Sequence, residues 1–307
     1  MSKKFHVIIN PASGKPYPIL HTLNRLFTKY NIQWSLALTN PDNIEEVAQE
    51  AKSNDADMIL VYGGDGTICS IAGYLINTEK TLAILPGGTA NILSIELEIS
   101  QNIEKVCEKI CQDKFRPRQI DVGRINDRYF LLRVGFGLEA EAIRNADRSS
   151  KSRLGILAYA LSGLQALIKT RPTRYQLKID EKDVSSEGYS LIVANSGNLG
   201  IPGIRFFPGV EIDDGNLDLI LIRSMDLQLL AKFDTEKDDE SNFKGLFQHW
   251  RAKKISVRTS PKQTTQYDGE LLDSSSSDAF GTPNEICSVS ISKSCLNGIK
   301  LSNVEVI

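Results

Sequence analysis

Short apolar runs alternate with stretches of helical spacing through the first part of the chain. Phe5–Ile9, Trp34–Leu38, Met58–Tyr62 and Leu82–Leu85 read as strands, and Ile19–Tyr30, Ile44–Lys52 and Thr67–Leu75 as helices. In the second of these helices Ile44, Val47, Ala48 and Ala51 share one face, behind a capping region at Asn40-Pro41-Asp42. Continuous apolar strands separated by helices predict a parallel sheet covered on both faces. After about residue 120 the texture changes. Strand-like runs recur at Tyr129–Val134, Tyr175–Ile179, Leu191–Ala194, Leu217–Ile222, Ile255–Arg258 and Val289–Ile291, interrupted by one long helical stretch, Gly155–Lys169. Turn chemistry stands at Asn126-Asp127 and at Asp213-Asp214-Gly215-Asn216. The pattern predicts an α/β domain over residues 1–124 and a mostly β domain over 125–307.

The 307 residues, 41% of them hydrophobic, suit two ordinary globular cores. No apolar run approaches the roughly 18 residues expected of a membrane span. Met1-Ser2-Lys3-Lys4 runs straight into a strand-like segment, too short for a secretory signal. Five cysteines with no C-x-x-C pair read as free thiols of a reducing cytosol; Cys107 and Cys111, four apart, are expected on one helix face. The net charge of −2 hides an asymmetry. Lys114–Lys178 carries fourteen Lys/Arg against five Asp/Glu, a net +9, so the remainder carries −11. Such a basic segment on a chain with no span suits docking on anionic lipid, or is simply a solvated helix face. Asp234–Glu240 and the serine run Ser274–Ser277 read as exposed loops.

Three glycine-bearing polar loops follow strands of the first domain: Asn10-Pro11-Ala12-Ser13-Gly14-Lys15, Gly63-Gly64-Asp65-Gly66-Thr67 and Pro86-Gly87-Gly88-Thr89-Ala90-Asn91. In open α/β sheets ligands bind beyond the carboxyl ends of the strands, so three such loops can jointly cradle one nucleotide. Ser13, Thr67 and Thr89 offer hydroxyls to phosphate oxygens, Lys15 adds charge, and a helix after Gly64 would aim its N–H groups at an anion. Asp65 repels bare phosphate, which points to a metal ion or an orienting role. There is no G-x-x-x-x-G-K-[ST]. Gly135-Phe136-Gly137-Leu138-Glu139-Ala140 fits G-x-G-x-x-A, but the region twenty residues on is Leu157-Ala158-Tyr159, inside a helical pattern, so these glycines read as close packing. In the second half, Asp213–Asp218 mixes acids with a tight turn, suiting either a turn or a hard cation, and Tyr267-Asp268-Gly269-Glu270 sets two acids around a glycine. The histidines His6, His21 and His249 form no cluster.

Taken in order, these segments resemble the diacylglycerol kinase catalytic-domain family, in its bacterial lipid kinase branch, related to sphingosine kinases and NAD kinases. Asn10–Gly14, Gly63–Thr67 and Pro86–Asn91 resemble its N-P-x-S-G, G-G-D-G-T and P-x-G-T-x-N motifs. Gln119–Gly123 resembles its D-x-G, Arg153–Leu164 its basic G-x-x-A-Y helix, Pro208–Asp218 its D-D-G-x-x-D and Asp268–Glu270 its D-G-E. The resemblance implies a three-layer α/β nucleotide domain and a β-sandwich-like lipid domain, with the last residues returning to the first domain. It places ATP on Asn10, Pro11, Ser13, Gly14, Lys15, Thr39, Gly63, Gly64, Asp65, Gly66, Thr67, Gly88, Thr89 and Asn91. It makes Glu270 the base, with Asp268 beside it, and assigns a structural Mg²⁺ to Asp214 with backbone oxygens of Glu211 and Asn216. Asp65 and Asp121 would link that ion to the reacting phosphates. The chain departs from the family pattern at Ser70, where Glu is frequent, at Ile92-Leu93-Ser94 after Asn91, and at the Ser274–Gly281 insertion.

The function implied is an ATP- and Mg²⁺-dependent kinase of diacylglycerol or a related lipid alcohol, cytoplasmic and peripherally bound to an anionic membrane surface. No nucleic-acid partner is expected, and homodimerisation is left open. A soluble-substrate kinase acting on NAD or a polyol, and a non-catalytic nucleotide- or lipid-binding regulator, are the rival readings.

Overall fold

The computed structural model describes residues 3–14, 16–137, 172–201, 204–205, 209–224, 245–272, 287–291 and 300–303. The chain divides into two compact units, Met1–Val122 with Asn198–Gly203 and Ser292–Ile307, and Gly123–Gly197 with Ile204–Ile291.

In the first unit β1 (Lys4–Ile9), α1 (Ile19–Lys29), β2 (Gln33–Leu38), α2 (Ile44–Ser53), β3 (Met58–Gly63), α3 (Asp65–Leu75) and β4 (Thr81–Pro86) alternate along the chain. They are followed by α4 (Ile92–Glu96), α5 (Ile103–Cys111) and β5 (Arg116–Gln119). The strands β1 to β4 are parallel, in the order β2-β1-β3-β4. The central strand β3 is buried throughout, as a strand covered on both faces must be. The helices turn their apolar faces inward: Leu23, Leu26 and Phe27 of α1, Ile68, Ile71 and Ala72 of α3, and Val106, Cys107 and Ile110 of α5 are buried. An aromatic chain of edge-to-face contacts links β1, α1 and β2 through Phe5, Phe27 and Trp34. Cys107 and Cys111 lie together on the buried face of α5 as free thiols, and burial pushes them up to about 12 and about 11.

In the second unit β6 (Gly123–Ile125), β7 (Arg128–Phe130), β8 (Arg133–Phe136), β9 (Thr173–Ile179), β10 (Lys182–Gly188) and β11 (Ser190–Ala194) come first. After β12 (Asn198–Ile201), which belongs to the first unit, the chain continues with β13 (Ile204–Arg205), β14 (Leu217–Ile222), β15 (Phe247–Ala252), β16 (Lys254–Ser260), β17 (Thr265–Tyr267), β18 (Glu270–Leu271) and β19 (Cys287–Ile291). Two antiparallel sheets form, ordered β10-β9-β16-β19-β6-β7 and β15-β14-β11-β8-β17-β18. They share one core: Tyr175, Leu177, Ile255 and Val257 from the first sheet meet Val134, Phe136, Leu191, Val193, Leu219 and Leu221 from the second. The alternation in β9, buried at every second residue, is the period-2 signature of a half-buried strand. The last strand, β20 (Lys300–Asn303), lies in the sheet of the first unit, parallel to β4 and antiparallel to β5.

One expected strand is split. Tyr129–Val134 breaks into β7 and β8, which lie in different sheets. The cause is a long-range set of hydrogen bonds: the N–H groups of Leu131, Leu132 and Arg133 donate to the Asp268 carboxylate at 2.7, 2.9 and 3.0 Å. Asn126-Asp127 closes the β6–β7 hairpin, with Asn126 at φ 49° as a two-residue turn requires. Gly135 lies within β8, while Gly137, at φ +88°, is the closely packed glycine; a Cβ there would come 2.8 Å from Gln263 Oε1. The helical stretch Gly155–Lys169, the acidic loop 234–240 and the serine run 274–277 lie outside the described residues, as does most of the basic segment.

Candidate active site

The three glycine loops of the first unit converge. All follow parallel strands at their carboxyl ends, and the backbone binds them to one another: Asn10 N–H donates to Tyr62 O at 3.0 Å and Gly87 N–H to Gly63 O at 2.9 Å. Their approach leaves no room for side chains. A Cβ on Gly14, at φ +63°, would fall 2.0 Å from the Gly87 carbonyl oxygen, and one on Gly88 would fall 2.4 Å from Gly64 Cα. Side chains complete the joints. Asn10 Nδ2 donates to Thr67 Oγ1 at 2.8 Å while its Oδ1 accepts from Ala12 N–H, and Ser13 Oγ accepts from Gly64 N–H at 3.3 Å. Asp65 Oδ1 accepts from Leu93 N–H at 3.0 Å, tying the second loop to the start of α4. Asn91, at φ 52°, closes the third loop by accepting from Gly88 N–H at 2.8 Å and donating to Gln101 at 3.0 Å.

Gly64 is the N-cap of α3, so the first-turn N–H groups at Asp65, Gly66 and Thr67 lack intrahelical partners and make the end electropositive. Pro11, Gly66 and Thr89 are exposed, Thr67 is buried, and Thr39, buried at the end of β2, donates its N–H to Ile9 O. Asp121 is 1% exposed and follows β5. Lys15 lies outside the described residues. The arrangement therefore separates residues that build the cradle, Asn10 and Asn91 chief among them, from the backbone and hydroxyl groups that remain to meet a ligand.

In the second unit, Asp268 and Gly269, at φ 46° and 90°, form the two-residue turn between β17 and β18. Asp268 N–H donates to Arg133 O at 3.0 Å, and its carboxylate takes the three N–H bonds of Leu131–Arg133. Its side chain is thus a structural staple rather than a spare acid. Glu270 sits on the edge strand β18, exposed, and accepts from the Tyr267 hydroxyl at 3.1 Å.

Comparison with known proteins gives these features a lineage. Residues 4–125 match the diacylglycerol kinase catalytic domain, and residues 133–287 match the YegS C-terminal NAD kinase beta sandwich-like domain. The chain belongs to the diacylglycerol kinase catalytic-domain family of lipid kinases. A diacylglycerol kinase of Bacillus subtilis is 28% identical over 87% of this chain and 90% of its own length. A provisionally named lipid kinase of Staphylococcus aureus is 30% identical over 80% and 83%. An uncharacterized protein of Synechocystis is 28% identical over 88% of this chain, which spans 66% of that protein's length. Among solved structures, a provisionally named diacylglycerol kinase from Bacillus anthracis superposes with a TM-score of 0.73 at 26% identity, covering 97% of this chain and 94% of its own.

A structural Mg²⁺, implied by the resemblance, would be held by the turn before β14. Glu211, Asp214 and Asn216 lie together on the loop entering β14. Carboxylate and carbonyl oxygens suit a hard cation, but Asp214 is already engaged: Oδ1 accepts from Asn216 N–H at 2.9 Å, and Oδ2 is ion-paired with Arg251. Arg251 stands opposite Asp218 across β14 and β15, and its Nε lies 3.4 Å from Asp218 Oδ1. As described, the turn takes a divalent ion only if the guanidinium gives way. Among the described residues no group of three or more His, Cys, Asp or Glu side chains is arranged to hold a metal.

Sequence reading missed several participants. Gln101 and Ser94 brace Asn91 through an amide–hydroxyl network. Glu96, buried on α4, accepts from Asn198 N–H at 3.0 Å and so anchors β12 in the first unit. His249 donates or accepts at 2.7 Å with buried Asp218. The ion-pairing residue Arg251 could have been found only through its cross-strand register.

Proposed function

We propose that the chain transfers the γ-phosphoryl group of ATP to the hydroxyl of diacylglycerol or a related lipid alcohol. The single observation that carries the reading is the convergence of three glycine loops into one backbone-lined cradle, with α3 opening on it. Backbone N–H groups of Asp65, Gly66 and Thr67 and the hydroxyls of Ser13, Thr67 and Thr89 would hold the phosphates, as positioning and charge neutralisation are the main demands of phosphoryl transfer. Asp65, with one oxygen fixed by Leu93 N–H, would keep the other for the metal side of the nucleotide, and Asp121 would join it in linking the ion to the reacting phosphates. Mg²⁺, when bound with ATP, would supply the positive charge that offsets the transferring phosphoryl group. Glu270 would take the proton of the lipid hydroxyl, whose oxygen bonds to the γ-phosphorus as the bond to the bridging oxygen breaks and ADP leaves.

No helix among the described residues is long and apolar enough to cross a membrane. Peripheral docking of the basic segment Lys114–Lys178 on anionic lipid at the cytoplasmic face completes the reading, supported by its net +9. The deciding experiment is transfer of labelled γ-phosphate to a lipid panel in mixed micelles, with Glu270→Ala and Asp65→Ala alongside. A labelled lipid product, lost in both variants, is expected. ATP binding without any lipid product, or transfer to NAD in the absence of lipid, refutes it. Vesicle binding should weaken as salt rises, since surface charge attraction is screened over about 8–10 Å near physiological ionic strength.

A further inference from the structure

A base must be held still to work, and Glu270 stands exposed on a two-residue edge strand. The hairpin supplies the missing constraint. Tyr267 lies directly opposite Glu270 in the β17–β18 register, and its hydroxyl donates to Glu270 Oε2 at 3.1 Å. The Tyr267 ring packs against the core of the second unit, so the hydroxyl is carried on an anchored lever. The turn between the two residues is fixed in turn by the four hydrogen bonds of Asp268 to the Leu131–Arg133 segment. Among the described residues, Glu270 Oε1 has no hydrogen-bond partner.

We propose that Tyr267 is a positioning residue of the kinase, holding Glu270 Oε2 through its hydroxyl so that Oε1 is presented to the lipid hydroxyl. The inference rests on the reading of Glu270 as the base. It follows the logic of an oriented base, in which a third group fixes the catalytic one. The arrangement persists across the neutral range. Burial first, then the Glu270 carboxylate, raises the Tyr267 pKa above its ordinary value, so the phenol stays protonated and remains a donor; Arg128 of β7 opposes this shift and Asp268 of the turn adds to it.

Tyr267→Phe keeps the ring and its packing and removes only the donor. The test measures kcat, both KM values and the melting temperature for the full chain, with Glu270→Gln in parallel. For Tyr267→Phe, kcat is expected to fall about tenfold, since slight misplacement of a reacting group is costly. Both KM values should hold within about twofold, because an interaction that matters only in the transition state changes kcat and leaves ground-state binding alone. An unchanged melting temperature shows that folding is not the cause. Wild-type kcat in Tyr267→Phe, with Glu270→Gln inactive, overturns the role of Tyr267 alone. A fall in kcat accompanied by a matching rise in either KM, or by a lower melting temperature, assigns Tyr267 a merely structural part and equally overturns it. Full turnover in Glu270→Gln removes the base assignment itself, and this inference with it.

Discussion

Asp268 was expected beside the base as part of the chemistry, and the structure gives it a different occupation whose size can be worked out. Its carboxylate accepts three backbone N–H bonds at 2.7, 2.9 and 3.0 Å, all from the segment that separates β7 from β8. Asp268→Ala leaves three N–H groups without acceptors, each costing about 1–3 kcal/mol if fully buried. The groups are part-buried, so the expected loss is nearer about 3 kcal/mol in total. Asp268→Asn separates bonding from turn preference. Asn-Gly is at least as good as Asp-Gly in a two-residue turn with both φ positive, but its amide nitrogen must oppose a backbone N–H, for an expected loss of about 1–2 kcal/mol. For a unit of this size, about 2–4 °C of melting temperature accompanies each kcal/mol. Alanine should therefore lower the transition by roughly 6–12 °C and asparagine by roughly 2–8 °C. The chain has two tryptophans, Trp34 on β2 and Trp250 on β15 against the second unit's core, so a Trp34→Phe background lets Trp250 fluorescence report the second unit alone. Melting within about 1 °C of the parent for Asp268→Ala would refute the staple. Activity abolished in Asp268→Asn at unchanged stability would return the residue to the chemistry.

Gly14→Ala should abolish nucleotide binding by calorimetry while leaving the second unit's melt unchanged, because its Cβ would collide with the Gly87 carbonyl at 2.0 Å from a backbone at φ +63°. His6 is buried, shares Nδ1 with Ser35 Oγ at 2.7 Å and leaves Nε2 without a partner, and burial lowers its pKa against a smaller opposing pull from Glu50. The unfolded chain then binds the extra proton, so stability is untouched above about pH 6.5 and falls as pH drops below it, by at most about 1.4 kcal/mol per pH unit. Urea titrations at pH 7.5, 6.5 and 5.5 should show that slope, flattened in His6→Gln. Arg251→Ala frees the Asp214 carboxylate, so millimolar Mg²⁺ should raise the melting temperature of the variant by several degrees more than that of the parent; equal responses would show that the guanidinium does not compete with a cation there.

The α/β half was legible because its signals are local. The central strands β3 and β4 are buried apolar runs, α1 and α3 each bury one apolar face, and the glycine loops occur where parallel strands end. The second half was less legible because its decisive contacts join distant residues. Nothing near Leu131 announces a break in a strand, since the acceptor of its N–H lies 137 positions along the chain. Strand β15 reads as polar, Phe247-Gln248-His249-Trp250-Arg251-Ala252, and among the described strands pairs only with β14 at a sheet edge, where burial leaves little pattern. Side-chain roles were harder still, for a motif reports residue types and the fold decides what each atom meets. Asp65 gives one oxygen to Leu93 N–H, Asp214 both of its oxygens to Asn216 and Arg251, and Asp268 its whole carboxylate to Leu131–Arg133. Asp214 and Asp268 thus have both carboxylate oxygens engaged. Glu270 differs from them in having a single described donor, Tyr267, and one oxygen still open, and from the half-buried Asp65 in lying exposed. On that geometric ground, and not only on its place in a D-G-E sequence, it is the acid we propose to receive the proton.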